Sequence, residues 1–200
     1  MNYGAAKAQF QALLNRRDIT PSLVTSFMNS SLQRVQRVLR IPAMEKAIIV
    51  TVGTDFQGIT IPGEFLQLIS LTAGSTQLRQ ASLDEVLKLQ ELGEGEPRIF
   101  HRLLNKIIIA PSPAVGTKLR MDFVGDFGEI ESDASEPTVL EIAPDLVIYG
   151  ALVFAANYYL DQRLETFETT FQTLLSEYQA QAYDDALAGG AAISPAYSFQ

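Results

Sequence analysis

The residue types that carry most enzyme chemistry are scarce in this chain. It has no cysteine and one histidine, His101. This composition argues against disulfide frameworks, thiol chemistry, cysteine-rich zinc sites and a Ser-His-Asp triad. Because His101 lies between Phe100 and Arg102 in a strand-like stretch, we predict a structural histidine held by a hydrogen bond. A metal held by carboxylates alone stays open.

Two other stretches have residue types found in catalytic or phosphate-binding sites. Asp122 and Asp126 offer paired carboxylates of the glycosidase kind, but their spacing fixes no distance across a cleft, so we predict a polar strand end. Residues 93–97, Gly-Glu-Gly-Glu-Pro, lack the third glycine of a dinucleotide fingerprint and the Lys-Ser/Thr of a phosphate loop. We therefore predict no catalytic residue, no cofactor and no metal, in a protein that is not an enzyme.

The first binding signal consists of three arginines spaced three residues apart along one predicted helix, which we call the basic line: Arg34, Arg37 and Arg40. One interpretation is contact with an acidic protein surface, which makes these arginines partner-binding residues. A second is nucleic-acid binding, with Gln33 and Gln36 reading bases. The third is a solvated or internally paired face that also complements the helix C-terminus.

The second binding signal is the C-terminal segment 189–200, which contains no charged residue. Its candidate partner-binding residues are Ile193, Pro195, Tyr197 and Phe199. The double glycine before them provides a hinge, and the proline favours an extended path. We predict an arm that is mobile in the free protein and becomes ordered against another chain.

Helical periodicity begins near the N-terminus. Residues 7–16 place apolar side chains on one face, which predicts a first helix. Thr20 followed by Pro21 predicts the N-cap and first position of a second, over residues 21–40, and Pro42 ends it. These helices must position the basic line.

Helical periodicity returns after residue 144. Residues 144–160 are apolar all round, which predicts a helix buried between subunits. Its predicted oligomer-interface residues are Ile148, Ala151 and Ala155. A single apolar stripe then covers residues 164–187. We favour an antiparallel hairpin of two helices, because one unbroken helix would reach roughly 60 Å, although no glycine or proline marks the turn.

The middle of the chain has the β-branched runs and the glycine and proline punctuation of strands. Strands are predicted over residues 48–52, 58–61, 65–71, 98–102, 106–110 and 117–124. Ser82 and Glu85 have capping-box spacing, which predicts one helix that reaches Leu92. We predict an α+β fold in four parts: a helical bundle from residues 1–45 and 144–188, a central β-rich insertion over 46–126, a connecting loop over 127–143, and an extended C-terminal tail over 189–200.

Charge is unevenly distributed along the chain. The net charge is -8, yet residues 1–46 contain seven Lys or Arg against Asp18 and Glu45. A basic surface attracts acidic partners, whereas an acidic one repels nucleic acid. The start of the chain lacks the pattern of a signal peptide, and the longest charge-free apolar run, residues 146–160, is too short for a bilayer, so no membrane partner is expected.

Four short stretches are similar, in their order and spacing along the chain, to stretches of a known protein family: residues 2–4 (Asn-Tyr-Gly), 13–20 (Leu-Leu-Asn-Arg-Arg-Asp-Ile-Thr), 34–45 (Arg-Val-Gln-Arg-Val-Leu-Arg-Ile-Pro-Ala-Met-Glu) and 142–152 (Ile-Ala-Pro-Asp-Leu-Val-Ile-Tyr-Gly-Ala-Leu). Together with the acidic amphipathic helix that follows, they resemble the head-to-tail adaptor proteins of tailed bacteriophages. The resemblance covers most of the chain. None of these stretches is a catalytic signature.

The resemblance implies a structural virion protein whose copies form a ring, twelvefold in the family, between the portal at the capsid vertex and the tail. It implies that the β-rich part faces the tail and that the C-terminal extension holds the portal. The implied partners are the portal protein, a tail, nozzle or tail-terminator protein and neighbouring copies, with genomic DNA passing through the lumen without sequence-specific binding. The implied location is the head–tail junction, after assembly in the host cytoplasm. A DNA-binding packaging or regulatory protein that uses helix 21–40 is the alternative.

Overall fold

The computed structural model describes residues 1–128 and 130–188. In this part of the chain there are six α-helices and two four-stranded sheets, so the predicted α+β class is confirmed. The helices are α1 (Tyr3–Leu14), α2 (Pro21–Val38), α3 (Leu83–Gln90), α4 (Thr138–Ile142), α5 (Pro144–Tyr159) and α6 (Leu164–Ala188). The strands are β1 (Glu45–Thr51), β2 (Ile59–Thr60), β3 (Phe65–Ala73), β4 (Thr76–Gln77), β5 (Arg79–Gln80), β6 (Ile99–Leu103), β7 (Lys106–Ala110) and β8 (Lys118–Gly125).

The chain divides into two compact units. The helical unit combines Met1–Ala43 with the chain from Phe127 onward, and the β-rich unit is Met44–Asp126. The β-rich unit is therefore contiguous in sequence, whereas the helical unit is assembled from two separated segments.

The ends of α1 and α2 follow their capping residues. The Asn2 side chain accepts a hydrogen bond from the Ala5 backbone N–H, so α1 starts four residues before the predicted position. Thr20 caps α2 as predicted, accepting from the Leu23 N–H at 3.3 Å, with proline at the first helical position. The helix ends at Val38 rather than at residue 40 because Leu39 is already extended.

Helix α5 is central to the helical unit. It packs against α1, α2, α4 and α6. Nine of its sixteen residues are buried, which explains why its sequence is apolar all round. The chain forms two helices here rather than one, because Leu160 adopts a left-handed conformation that ends α5.

Two sheets share one core in the β-rich unit. The first has strand order β1-β8-β3-β4 and is antiparallel throughout, and the second has order β2-β7-β6-β5 with β5 and β6 parallel. Buried side chains from both sheets contact one another in this core: Leu71, Met121 and Phe123 from the first, and Phe100, Ile107 and Ile109 from the second. Helix α3 packs on β6 and β7 through Val86, with Ser82 as its N-cap as predicted.

Some predicted elements differ from the structure. The predicted connecting loop over residues 127–143 is wrong in part, since Thr138–Ile142 form α4 and bury Val139 and Leu140 completely. A five-residue helix is too short to show helical periodicity. Strands β4 and β5 contain only two residues each, which is too short to show the alternation of a strand, so the sequence did not predict them. In the described part of the chain, no helix has the length and apolar character needed to cross a membrane.

Candidate partner-binding surfaces

Small residues bring α2 and α5 into close contact. The Ser31 hydroxyl, which is fully buried, donates a hydrogen bond to the Val147 carbonyl at 2.6 Å. Gly150 lies beside it, and a Cβ atom at this position would overlap the Ser31 Oγ and stand 3.2 Å from Phe171. Neither small residue was singled out in the sequence, although serine and glycine inside helices are unfavourable unless packing requires them.

Arg34 is engaged inside the helical unit. Its guanidinium makes a bidentate pair with Glu168 of α6, with Nη1 2.9 Å from Oε2 and Nη2 2.5 Å from Oε1. The same group lies 4.0 Å from the centroid of the Phe171 ring. The hydrogen bond from Arg34 is the main cause that lowers the pKa of the Glu168 carboxyl. Internal pairing, one of the three interpretations, therefore applies to this arginine.

The other two arginines of the basic line have different surroundings. Arg37 is exposed. Arg40 follows the end of α2 and donates from Nη1 to the carbonyls of Gln36 at 2.8 Å and Leu39 at 2.6 Å. The three side chains thus do not form one uniform surface. That they bind a partner stays a prediction.

Replacing Arg34 by glutamine is expected to lower the free energy of unfolding by about 1–2 kcal/mol. Hydrogen bonds to charged groups contribute about 1.5–3 kcal/mol, and the partial exposure of Glu168 reduces that value through solvent screening. Urea denaturation of Arg34→Gln and of Arg37→Gln at pH 7 checks this. Arg37→Gln is the matched control and should change stability by less than about 0.5 kcal/mol.

The effect of Arg34→Gln should also depend on pH. The folded-state pKa of Glu168 lies below its ordinary value of 4.5, so the pair stabilises the fold above pH 4.5 and loses this contribution as pH falls through the lowered pKa. The difference in unfolding free energy between wild type and variant should therefore shrink on acidification from pH 6 to pH 3.5. A difference that stays constant over this range would contradict the pairing.

The three predicted oligomer-interface residues are buried within a single chain. Ile148 is 1% exposed, and Ala151 and Ala155 are 0% exposed. The prediction assumed that α5 had more apolar surface than one chain could cover, and that reason no longer holds because four helices of the same chain pack against it. These three residues therefore present no exposed surface on the single chain.

The second binding signal falls outside the described residues. Ile193, Pro195, Tyr197 and Phe199 all belong to the segment 189–200. Their predicted role as an arm stays a prediction.

The residues considered for chemistry have structural roles. His101 Nδ1 lies 2.8 Å from the Ala81 carbonyl oxygen, which confirms the predicted hydrogen-bonded histidine. Asp122 accepts hydrogen bonds from Arg120 and Ser70, each at 2.8 Å, and these bonds lower the pKa of its carboxyl. Residues 1–128 and 130–188 contain no cluster of His, Asp or Glu suited to a metal ion.

An apolar groove of about 180 Å³ opens on the helical unit. The residues that line this groove are Ile41, Pro42, Ala43, Ile142, Tyr178, Gln181 and Ala182. The Tyr178 hydroxyl donates a hydrogen bond to Asp145 at 2.8 Å. Burial is the larger cause, and this hydrogen bond the second, that together raise the pKa of Tyr178 to about 12. Tyr178 and Ala182 belong to the apolar stripe predicted over residues 164–187, and periodicity alone cannot distinguish a core face from an open groove.

The α5–α6 turn, residues 160–163, carries an exposed apolar side chain. Leu160 has φ +52° and is 88% exposed, and Tyr158 just before it is 60% exposed. In the same turn, Arg163 donates from Nη2 to the Leu14 carbonyl at 3.0 Å and pairs with Asp161. Hydrogen bonds from Arg163 lower the pKa of Asp161 to about 2. The turn is therefore fixed to the end of α1 while its leucine faces solvent.

The family described as SU10 adaptor protein matches residues 1–194, nearly the whole chain. No curated protein sequence matches the chain.

Proposed function

Because the chain belongs to the SU10 adaptor protein family, a family of phage head–tail adaptors, we propose that its copies form a twelvefold ring that joins the portal to the tail. The chain is a structural adaptor component of a phage virion. The family match over residues 1–194 is the observation that carries the proposal. A ring contact requires two complementary surfaces on each copy.

We further propose that the ring surrounds the DNA exit channel and assembles in the host cytoplasm. From Glu129 to the end, twelve acidic residues stand against one basic residue, Arg163. A wall of this charge would repel DNA weakly, so that the genome passes without binding. In this arrangement the β-rich unit meets a tail, nozzle or tail-terminator protein, and segment 189–200 holds the portal.

Co-expression with the portal protein of the same genome tests the ring. Negative-stain images should show an additional ring on the portal, and the copy number should follow from mass measurement. Free protein that is monomeric agrees with the proposal, since assembly can depend on the portal as template. A chain that never joins the portal would contradict it.

The basic line has a separate test in the exposed Arg37. Arg37→Gln should weaken portal attachment about two- to fivefold at low salt and reduce its salt dependence, because a rim charge contributes modestly and is screened by ions. Arg17→Gln, which removes an exposed charge elsewhere in the helical unit, is the control. Equal attachment of the wild type and Arg37→Gln at every salt concentration would reject the role.

The same variants address the alternative DNA-binding function. Arg34 is held by Glu168, which leaves fewer cations on helix 21–40 for phosphate contacts. Binding of duplex DNA with a steep salt slope, lost in Arg37→Gln, would favour the alternative over the adaptor ring.

A further inference from the structure

We propose that the free edge of strand β1 binds an extended segment of the tail-side protein as an added strand. The segment has apolar side chains on both faces and a lysine or arginine opposite Glu45. This inference rests on the proposed function, in which the β-rich unit meets a tail, nozzle or tail-terminator protein. In strand addition, main-chain hydrogen bonds supply the affinity and side chains at alternate positions supply the specificity.

Strand β1 differs from the other edge strands of the two sheets. In the described residues, three of the four edge strands, β2, β4 and β5, contain only two residues each. The part of β3 that extends past β4 has two register shifts against β8. Short edge strands and bulges keep a sheet from pairing with another chain. Strand β1 has seven residues, an unbroken register with β8 and no proline, so it lacks these protections.

Hydrogen bonds at the end of β1 fix which of its backbone groups face β8. The Val52 N–H donates to the Thr117 carbonyl at 2.9 Å, and the Val52 carbonyl accepts from the Gly116 N–H at 2.8 Å. Val52 directly follows β1, so its backbone faces the segment that leads into β8. The Lys118 carbonyl accepts from the Gly74 N–H, which agrees with this assignment because Lys118 then faces β3 rather than β1.

Every second residue of β1 has its backbone directed away from β8. In an antiparallel pair, residues that exchange hydrogen bonds with the neighbouring strand alternate with residues that do not. Counting back from Val52 through the register, Val50 and Ile48 bond to β8. Ala47 and Ile49 therefore direct their N–H and C=O groups outward. Within residues 1–128 and 130–188, no strand other than β8 pairs with β1, so these groups can accept an added strand.

The side chains of β1 specify an apolar partner strand. Ile48 and Val50 pack against the core of the β-rich unit but stay partly exposed, because β1 is the last strand of its sheet. Ile49 points to the opposite face and is 66% exposed. An added strand would place its own side chains beside all three, and β-branched or aromatic residues form favourable cross-strand pairs with them.

Charge and symmetry indicate which protein supplies the strand. Glu45, at the start of β1, is exposed and has no ion pair with any described residue. An opposite charge directly across from it would stabilise the pairing. Segment 189–200 contains no charged residue, so it cannot supply this group. A second copy of β1 would pair about a twofold axis, which closes a dimer and not the proposed ring. The occupant is therefore a strand of the tail-side protein.

A proline substitution tests the backbone pairing. Ala47→Pro removes one outward N–H and no bond to β8, and proline is tolerated on an edge strand where the N–H faces solvent. The probe is the tail, nozzle or tail-terminator protein of the same genome, titrated onto portal-bound rings. Its binding should weaken about tenfold or more, because a buried carbonyl of the partner would lose its donor. Thermal stability should stay close to that of the wild type.

Matched variants separate the backbone from the side chains and the charge. Ala47→Thr keeps the outward N–H and should bind like the wild type. Ile48→Pro removes a bond to β8 and should lower the melting temperature, which Ala47→Pro should not do. Glu45→Lys should weaken binding because it places like charges opposite each other.

Amide hydrogen exchange gives a second readout on the unaltered chain. In free protein the Ala47 and Ile49 amides should exchange quickly, whereas the Ile48 and Val50 amides should be protected by β8. After the tail-side protein binds, all four amides should be protected.

The possible failures can be told apart. Equal binding of Ala47→Pro and wild type, or outward amides that stay unprotected in the bound complex, overturns the added strand and leaves the proposed function intact. Protection of these amides before the tail-side protein is added assigns the edge to the chain itself or to a neighbouring copy, and it also overturns the proposal. Absence of wild-type rings, or rings that bind no tail-side protein, contradicts the proposed function itself.

Discussion

Replacing Gly150 by valine should destabilise the helical unit by about 3 kcal/mol, at the upper end of the range for overpacked cores. A side chain at this position would overlap the buried Ser31 hydroxyl and press on the Phe171 ring. Ser31 cannot move away without breaking its hydrogen bond to the Val147 carbonyl. Thermal and urea denaturation of the full chain measure the effect.

Compensation at Ser31 distinguishes a steric cause from a general loss of helix stability. Gly150→Ala should cost about 1–3 kcal/mol alone and much less in a Ser31→Gly background, because the overlapping atoms are then absent. Gly63→Ala is the control, since a Cβ there meets nothing within 4 Å. Equal costs of Gly150→Ala in both backgrounds would contradict the steric explanation.

Deleting residues 189–200 should leave folding and solubility unchanged and abolish stable attachment to the portal. Ordering twelve residues costs about 1–2 kcal/mol each, whereas two or three buried apolar side chains return only about 1.5–3 kcal/mol each. One arm therefore binds weakly unless backbone hydrogen bonds add to it, and repetition around a ring supplies the affinity. Portal pull-down and circular dichroism provide the two readouts.

Substitution within the arm separates its apolar anchors from its length. A full-length variant with Ile193→Ser, Tyr197→Ser and Phe199→Ser should attach as poorly as the deletion. Retained attachment of this variant would assign the binding to the backbone alone. Heads joined to tails in the presence of the truncated protein would refute the arm.

Local signals predicted much of the fold. Thr20 and Ser82 cap the helices that they were predicted to cap. Each side-chain oxygen accepts a hydrogen bond from the backbone N–H three residues later, so the cap can be predicted from neighbouring residues alone. Strand β7 has its predicted bounds, since a continuous apolar run between turns needs no distant information. The short helix α4 was missed because five residues cannot display a period.

The candidate surfaces were harder to predict because they depend on distant partners. Arg34 looked like part of a basic line until α6 placed Glu168 within hydrogen-bonding distance, 134 residues away. Ile148 looked like an interface residue because the sequence could not show how much of α5 its own chain covers. The exposure of Leu160 also depends on the turn, which no glycine or proline announces.

The separation of the helical unit into two segments has a consequence for synthesis on the ribosome. Helices α1 and α2 emerge first, and α5 follows roughly 100 residues after α2 ends. At about 5–20 residues per second, this interval lasts roughly 5–20 s. The contiguous β-rich unit can fold during that time, whereas the apolar face of α2 waits for its partner. A chaperone that holds exposed apolar segments of nascent chains would therefore act on α1 and α2, before α5 and α6 have been synthesised.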